Sequence, residues 1–152
     1  MVAGLAALHV IDEDKLVENA SRMGSLLLQG LEEMKKRFEL IKDVRGRGLM
    51  VGIEFGRPSS LTLKIGWDLA HKVSSGLFGQ AIVMPLMADH AILTQISGHG
   101  VDVIKLIPPL VINESDVSWF LSAFEKVLER AHHFPGPIWE VASRLARHAL
   151  RR

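Results

Sequence analysis

Lys105 is the residue of this sequence whose surroundings most need a chemical explanation. It sits in Val103-Ile-Lys-Leu-Ile-Pro-Pro-Leu-Val-Ile112, a run otherwise almost uniformly apolar. A lone cation in such a strand either snorkels to water or faces a polar cleft that holds an anion, since an unpaired buried ammonium is far costlier than either. The sequence leaves both readings open. Glu54 raises the same question for a carboxylate. Alternation puts Met50, Gly52 and Glu54 on one face of a strand and Leu49, Val51, Ile53 and Phe55 on the other, so the plainer reading sends Glu54 to solvent or to a sheet edge.

The remaining chemistry-bearing types are weaker. Gly46, Gly48 and Gly52 do not make a dinucleotide loop, because that loop follows a strand and opens a helix whose amides meet the pyrophosphate. Here the glycines precede a strand and read as a structural turn. The histidines are His9, His71, His90, His99, His132, His133 and His148. Adjacent His132 and His133 point to different sides of a helix, and His90 and His99 flank a strand without a third ligand, so surface or capping roles are expected rather than a metal site. The serines Ser59, Ser60, Ser74, Ser75 and Ser97 lie in no Gly-x-Ser-x-Gly elbow. Tyrosine and cysteine are absent, which removes phenolic acid–base and thiolate chemistry. The arginines of the tail, Arg144, Arg147, Arg151 and Arg152, read as solvated charge on the outer side of a packed helix. No catalytic residue is assigned.

These groups must be positioned by a small set of elements. Leu16, Ala20, Met23, Leu27, Leu31, Met34 and Phe38 recur at steps of three and four, so a helix is expected from about Glu13 to Phe38. Asp12 is its expected N-cap, with Ile11 and Leu16 as a hydrophobic staple and Lys35, Lys36 and Arg37 in the last turn. The apolar opening from Met1 to Ile11 lacks a basic start and reads as a helix entering mid-fold rather than a signal peptide. Asp43-Val-Arg-Gly-Arg-Gly48 reads as a turn, followed by a strand Leu49–Phe55 that Gly56-Arg57-Pro58 ends. Leu63, Trp67, Ala70, Val73 and Leu77 predict a helix from near Ser60, which Pro85 should kink or end. Strands Ile92–Ile96 and Val103–Ile107 should form an antiparallel hairpin through Ser97-Gly-His-Gly100. Pro108-Pro109 breaks the sheet. Asn113, with Asp116 three residues on, caps a helix reaching about His132, stapled by Ile112 and Val117. His133-Phe-Pro-Gly-Pro137 stops it, and a last amphipathic helix runs from Ile138 to about Leu150. The expected fold is α+β: an antiparallel sheet of about three strands covered by helices.

At 152 residues, 48% hydrophobic and 23% charged, the chain has the size and composition of one globular domain. A formal charge of +1 gives no global drive toward nucleic acid or an anionic membrane. No uncharged apolar run approaches the roughly eighteen residues of a membrane span. The lack of cysteine fits a reducing, cytoplasmic compartment.

Three stretches, in order over residues 2 to about 132, resemble the C-terminal part of the class III aminotransferases, pyridoxal-phosphate enzymes such as the ornithine, acetylornithine and 4-aminobutyrate transaminases. Asp43-Val-Arg-Gly-Arg-Gly-Leu-Met-Val-Gly-Ile-Glu-Phe55 looks like their "VRG-x-G-L-M-x-G-I-E" signature. Ala3-Gly-Leu-Ala-Ala-Leu-His-Val-Ile11 with Leu16-Val-Glu-Asn-Ala20 is similar to the lead-in "A-x-x-A-A-L-x-V-I … L-x-E-N-A". Ile104-Lys-Leu-Ile-Pro-Pro-Leu-Val-Ile112 resembles "I-R-L-x-P-P-L-V-I", and Asn113-Glu-Ser-Asp116 fits the acidic start of the last family helix.

The resemblance implies the small domain of a fold-type I enzyme over residues 1–134; residues 135–152 have no counterpart in it and read, from their own pattern, as an added basic helix packed on that domain. It implies amino transfer between an amine or amino acid and a 2-oxo acid in an intact homodimer. It also implies that the Schiff-base lysine, the pyridine-nitrogen aspartate and the phosphate cradle lie in a large N-terminal domain, the Schiff-base lysine a few tens of residues before Met1. The 152 residues alone are then expected to be inactive and to hold no pyridoxal phosphate. Lys105 stands where the family usually has an arginine that meets a substrate carboxylate or a nearby glutamate. Lysine keeps the charge and loses the bidentate fork. The alternative is a binding or oligomerisation domain that descends from such an enzyme without its catalysis; a nucleic-acid binder using the basic tail is the weakest reading.

Overall fold

The computed structural model describes residues 2–73, 76–98, 100–140 and 144. The chain opens with α1 (Val2–Glu13) and α2 (Leu16–Arg37). The expected break before α2 falls later than the sequence suggested. Asp12 belongs to α1, and Lys15, in the left-handed region at φ 50°, is the N-cap without a side-chain bond. The cause is tertiary. The Asn19 amide donates to the carbonyls of Leu110 and Ile112 at 2.8 and 2.9 Å, which pins the start of α2 on the loop before the last long helix. Leu16 is consequently buried, whereas Leu5 and Leu8 of α1 remain 64% and 62% exposed.

A hairpin follows, β1 (Ile41–Arg47) and β2 (Met50–Phe55), in register from Arg47 opposite Met50 to Ile41 opposite Phe55, with a register shift between Ile41 and Asp43. The stretch Asp43–Gly48 is thus mostly strand rather than the expected turn, which shrinks to Gly48 and Leu49 with Gly48 at φ 55°. Gly46 belongs in the strand for a steric reason: a Cβ there would lie 2.6 Å from the Met50 carbonyl oxygen.

Helices α3 (Leu61–Val73) and α4 (Leu77–His90) come next. Pro85 lies inside α4 instead of ending it. Ala81, Ile82 and Leu86 are fully buried, so core packing on both sides of the proline outweighs the missing backbone donor. The helix closes at Ala91, φ 53°, and the Ile92 amide donates back to Leu86 at 2.9 Å. That closure takes Ile92 out of the expected strand, leaving β3 as Gln95–Ile96, paired antiparallel with β4 (Val103–Leu106). Four strands, ordered β1-β2-β4-β3 and all antiparallel, replace the expected three.

The last long helix, α5 (Glu114–Ala131), starts on the predicted capping box. The Asn113 side chain accepts from the amides of Ser115 and Asp116, and Asp116 accepts from the Asn113 amide at 2.9 Å. Of the expected terminal helix, residues 137–140 are helical, Ile138 and Trp139 are buried, and the Trp139 indole donates to the Ala131 carbonyl at 2.9 Å. Arg147, His148, Arg151 and Arg152 lie outside the described residues, as do Ser74, Ser75 and His99. The α+β architecture is the one expected: the core lies between one face of the sheet and the helices, built around Met23, Leu31, Ile53, Phe78, Ile104 and Phe124.

Candidate functional site

Pairing aligns a row across the face of the sheet that turns away from this core: Arg45, Gly52, Lys105 and Gln95 stand side by side on β1, β2, β4 and β3. Ile104 and Leu106, on either side of Lys105, are buried in the core, so the pleat carries the lysine to the open side. Its ammonium makes no ion pair among the described residues, and its carbonyl accepts from the Thr94 hydroxyl at 2.9 Å. Gly52, between Arg45 and Lys105, has no side chain to fill the space; a Cβ there would meet only ordinary contacts of 3.7–4.0 Å. The result is a shallow floor with a cation on each side.

The two cations differ. Arg45 donates to Glu54 at 2.8 Å and to Asp43 at 2.9 Å, and Lys42 donates to Glu54 at 2.7 Å. Glu54 therefore faces the open side of a central strand, already paired. Hydrogen bonds from Lys42 and then Arg45 hold its carboxyl below the usual carboxylate range, the Arg45 hydrogen bond lowers Asp43 in the same way, and Glu54 raises Arg45 in return. Groups held ionised in this way accept hydrogen bonds and do not shuttle protons near neutrality. The face offers charge and orientation, with Lys105 and Arg47 as cations not spent on protein carboxylates among the described residues.

A second constellation was not legible in the sequence. Asp102, buried just ahead of β4, takes three elements at once. Its Oδ1 accepts from the Gly79 amide on α4 at 2.8 Å, its Oδ2 lies 2.6 Å from His71 Nε2 on α3, and its carbonyl accepts from the Phe55 amide at the end of β2 at 2.8 Å. His71 Nδ1 lies 2.9 Å from the Trp67 carbonyl, and the imidazole stacks on the Trp67 ring with centroids 4.1 Å apart. The partners are 31 residues apart, so no spacing rule joins them.

The other histidines of the described residues, with Gly46 and Gly48, stand apart from both constellations. Among the described residues no three His, Cys, Asp or Glu side chains group as a metal site. His132 turns Nδ1 to the Leu128 carbonyl at 2.9 Å and packs on Phe38, as a helix-terminal histidine would. The Gly46–Gly48 stretch lies in the β1–β2 hairpin and not at the start of a helix. A pyridoxal phosphate site needs an enclosed lysine, a carboxylate for the ring nitrogen and a cradle of donors for the phosphate. Lys35, Lys36 and Lys42 are ion-paired to carboxylates, and Lys105 lies on an open face. None of these four lysines has that enclosure.

Two of the exposed apolar surfaces among the described residues bear on the site. The leucines of α1 are one. The other is a groove lined by Ile92, Leu106, Pro108, Ile112, Val117 and Phe120, rimmed by Leu93 (83% exposed), Ile107, Val111 and Trp119.

The family model for class-III aminotransferases matches residues 1–128. Over 123 residues the chain is 33% identical to the mitochondrial alanine–glyoxylate aminotransferase 2 homolog 2 of Arabidopsis thaliana, covering 81% of this chain and 24% of that protein. It is also 33% identical over 132 residues to an alanine/serine racemase of Pyrococcus horikoshii, covering 84% and 24%. Among solved structures, the acetylornithine aminotransferase of Elizabethkingia anophelis superposes with a TM-score of 0.59 at 28% identity, over 82% of this chain and 28% of that one. A transaminase from directed evolution by ancestral reconstruction gives 0.69 at 26% identity, over 86% and 26%. The chain thus spans about a quarter of the length of the relatives it matches.

Proposed function

The chain belongs to the class-III aminotransferases, and on that premise we propose that it is the C-terminal small domain of an enzyme moving an amino group between an amine or amino acid and a 2-oxo acid. The observation that carries this is the family match along residues 1–128 combined with a sheet face that presents Lys105 beside Gly52. Lys105 is the proposed contact for a substrate carboxylate, as a single ammonium rather than a fork. Pyridoxal phosphate belongs to the intact enzyme, where it supplies the electron sink; it is held by a large domain preceding these residues, and not by the 152-mer alone. Support comes from the described lysines, none of which is enclosed opposite a carboxylate, and from the wet leucines of α1 and the groove beside Trp119, which suit burial against that large domain and its homodimeric partner.

Two measurements test this. The isolated chain, given pyridoxal phosphate and an amino-donor panel with 2-oxo acids, should transfer no amino groups and trap no cofactor on a lysine after borohydride; turnover or a single labelled lysine sinks the division of labour. In the polypeptide completed by its large domain, Lys105→Met should raise KM for carboxylate substrates by roughly tenfold or more, as loss of a charge-assisted bond requires, with Lys105→Arg retaining binding. An unchanged KM removes Lys105 from the site, and exchange of amino-acid enantiomers without amino transfer would replace transamination by racemisation.

A further inference from the structure

We propose that His71 and Asp102 form a proton-dependent clamp that fastens α3 and α4 to the entry of β4, closed while the imidazole carries both ring protons and loosened when it loses one. The geometry requires two donors on one ring. Nδ1 faces a backbone carbonyl at 2.9 Å and Nε2 faces a carboxylate oxygen at 2.6 Å, and both of these partners only accept. A neutral imidazole has one N–H, so either tautomer leaves two lone pairs facing each other on one side. The other Asp102 oxygen accepts from the Gly79 amide at 2.8 Å, which fixes the carboxylate plane against the ring. The stacked Trp67 ring holds the imidazole plane in place, and Trp67 also meets Phe78 of α4 at 5.1 Å.

The charges around His71 agree with this. The hydrogen bond to Asp102 is the largest influence raising its pKa above 6.5, opposed by burial and assisted by the Trp67 carbonyl and by the charges of Asp102 and Asp68. Asp68, on the same helix, is held by both ends of the Arg57 guanidinium at 2.7 and 2.5 Å. The stretch of α4 facing the pair, Leu77–Gln80, has no titratable group. A folded-state pKa raised above the unfolded value means the clamp's stabilisation is complete below about 6.5 and is lost as pH rises through the folded-state value. Loss of the proton weakens the tie of α3 to Asp102, which immediately precedes the strand bearing Lys105, while the Gly79 amide keeps α4 on the other carboxylate oxygen.

The experiment is an imidazole nitrogen and carbon NMR titration of the 152-residue chain, paired with urea unfolding across pH for wild type and His71→Gln. His71 should remain doubly protonated above the pH at which an exposed histidine titrates. The difference between the two unfolding curves, which cancels the other histidines, should shrink as pH rises, with amide protection factors along α3, normalised to the intrinsic base-catalysed rate, several-fold lower at high pH. Asp102→Asn should return His71 to an ordinary titration; if that variant does not fold, the wild-type titration and the glutamine comparison decide. A His71 that titrates at or below the ordinary value, or a difference curve flat with pH, overturns the clamp. Neither outcome bears on amino transfer, so this inference and the proposed function fail separately.

Discussion

Gly24, in the middle of α2, lies directly against the backbone of Gly48 in the β1–β2 turn, so closely that any Cβ at Gly24 would fall inside the van der Waals envelope of the Gly48 carbonyl. Helix and hairpin meet backbone to backbone here, and Gly48 takes a left-handed conformation to make the turn. Gly24→Ala should therefore destabilise the chain by about 2–3 kcal/mol through overpacking. The urea midpoint measures this, and an unchanged midpoint would mean that the helix is not seated as described.

The capping box at Asn113 gives a milder prediction. Its carboxamide satisfies two amides of the first turn of α5. Asn113→Ala should cost about 1 kcal/mol, and Asn113→Ser should recover most of it. Thermal unfolding of the two variants provides the comparison.

Gly46 and Gly52 face each other's strands yet should answer alanine oppositely. At Gly46 the new methyl would meet the Met50 carbonyl at 2.6 Å, whereas at Gly52 it would meet nothing nearer than 3.7 Å. Gly46→Ala is expected to lower the melting temperature by several degrees. Gly52→Ala should leave it unchanged or slightly raised, since alanine fits a strand no worse than glycine. Equal losses at both positions would show that the face beside Lys105 is not open.

Acid should weaken the hairpin by a route separate from the histidine clamp. Glu54 and Asp43 have folded-state pKa values below their ordinary 4.5 and 3.8, because of Lys42 and Arg45 for the first and Arg45 for the second. Their contribution is complete above the ordinary values and is lost as pH falls through the depressed ones. Glu54→Gln should flatten the stability curve in that acid window and leave it unaltered near neutrality except for a small offset, because the pairs are solvent-exposed. Chemical unfolding at a series of acid pH values checks it.

What the sequence disclosed follows from how local each feature is. The α5 capping box, the amphipathic stripe of α2 and the β3–β4 hairpin depend on residues a few positions apart, and all three were readable. Strand β1 was hidden because Asp43-Val-Arg-Gly-Arg-Gly carries turn chemistry, and only pairing with β2 along its whole length outweighs it. Pro85 misled because the packing of Ile82 and Leu86 decides the path of α4. Lys105 was conspicuous as a charge in an apolar run. His71 and Asp102 were each ordinary in their own neighbourhoods, and their pairing exists only once three elements converge.

The first helix carries one last implication. Having α2 as its main neighbour, α1 keeps Leu5 and Leu8 in water, and drying each would release about 1.5–3 kcal/mol. Whatever polypeptide docks there is thus recruited by greasy adhesion rather than by charge, and high salt should strengthen the embrace instead of dissolving it.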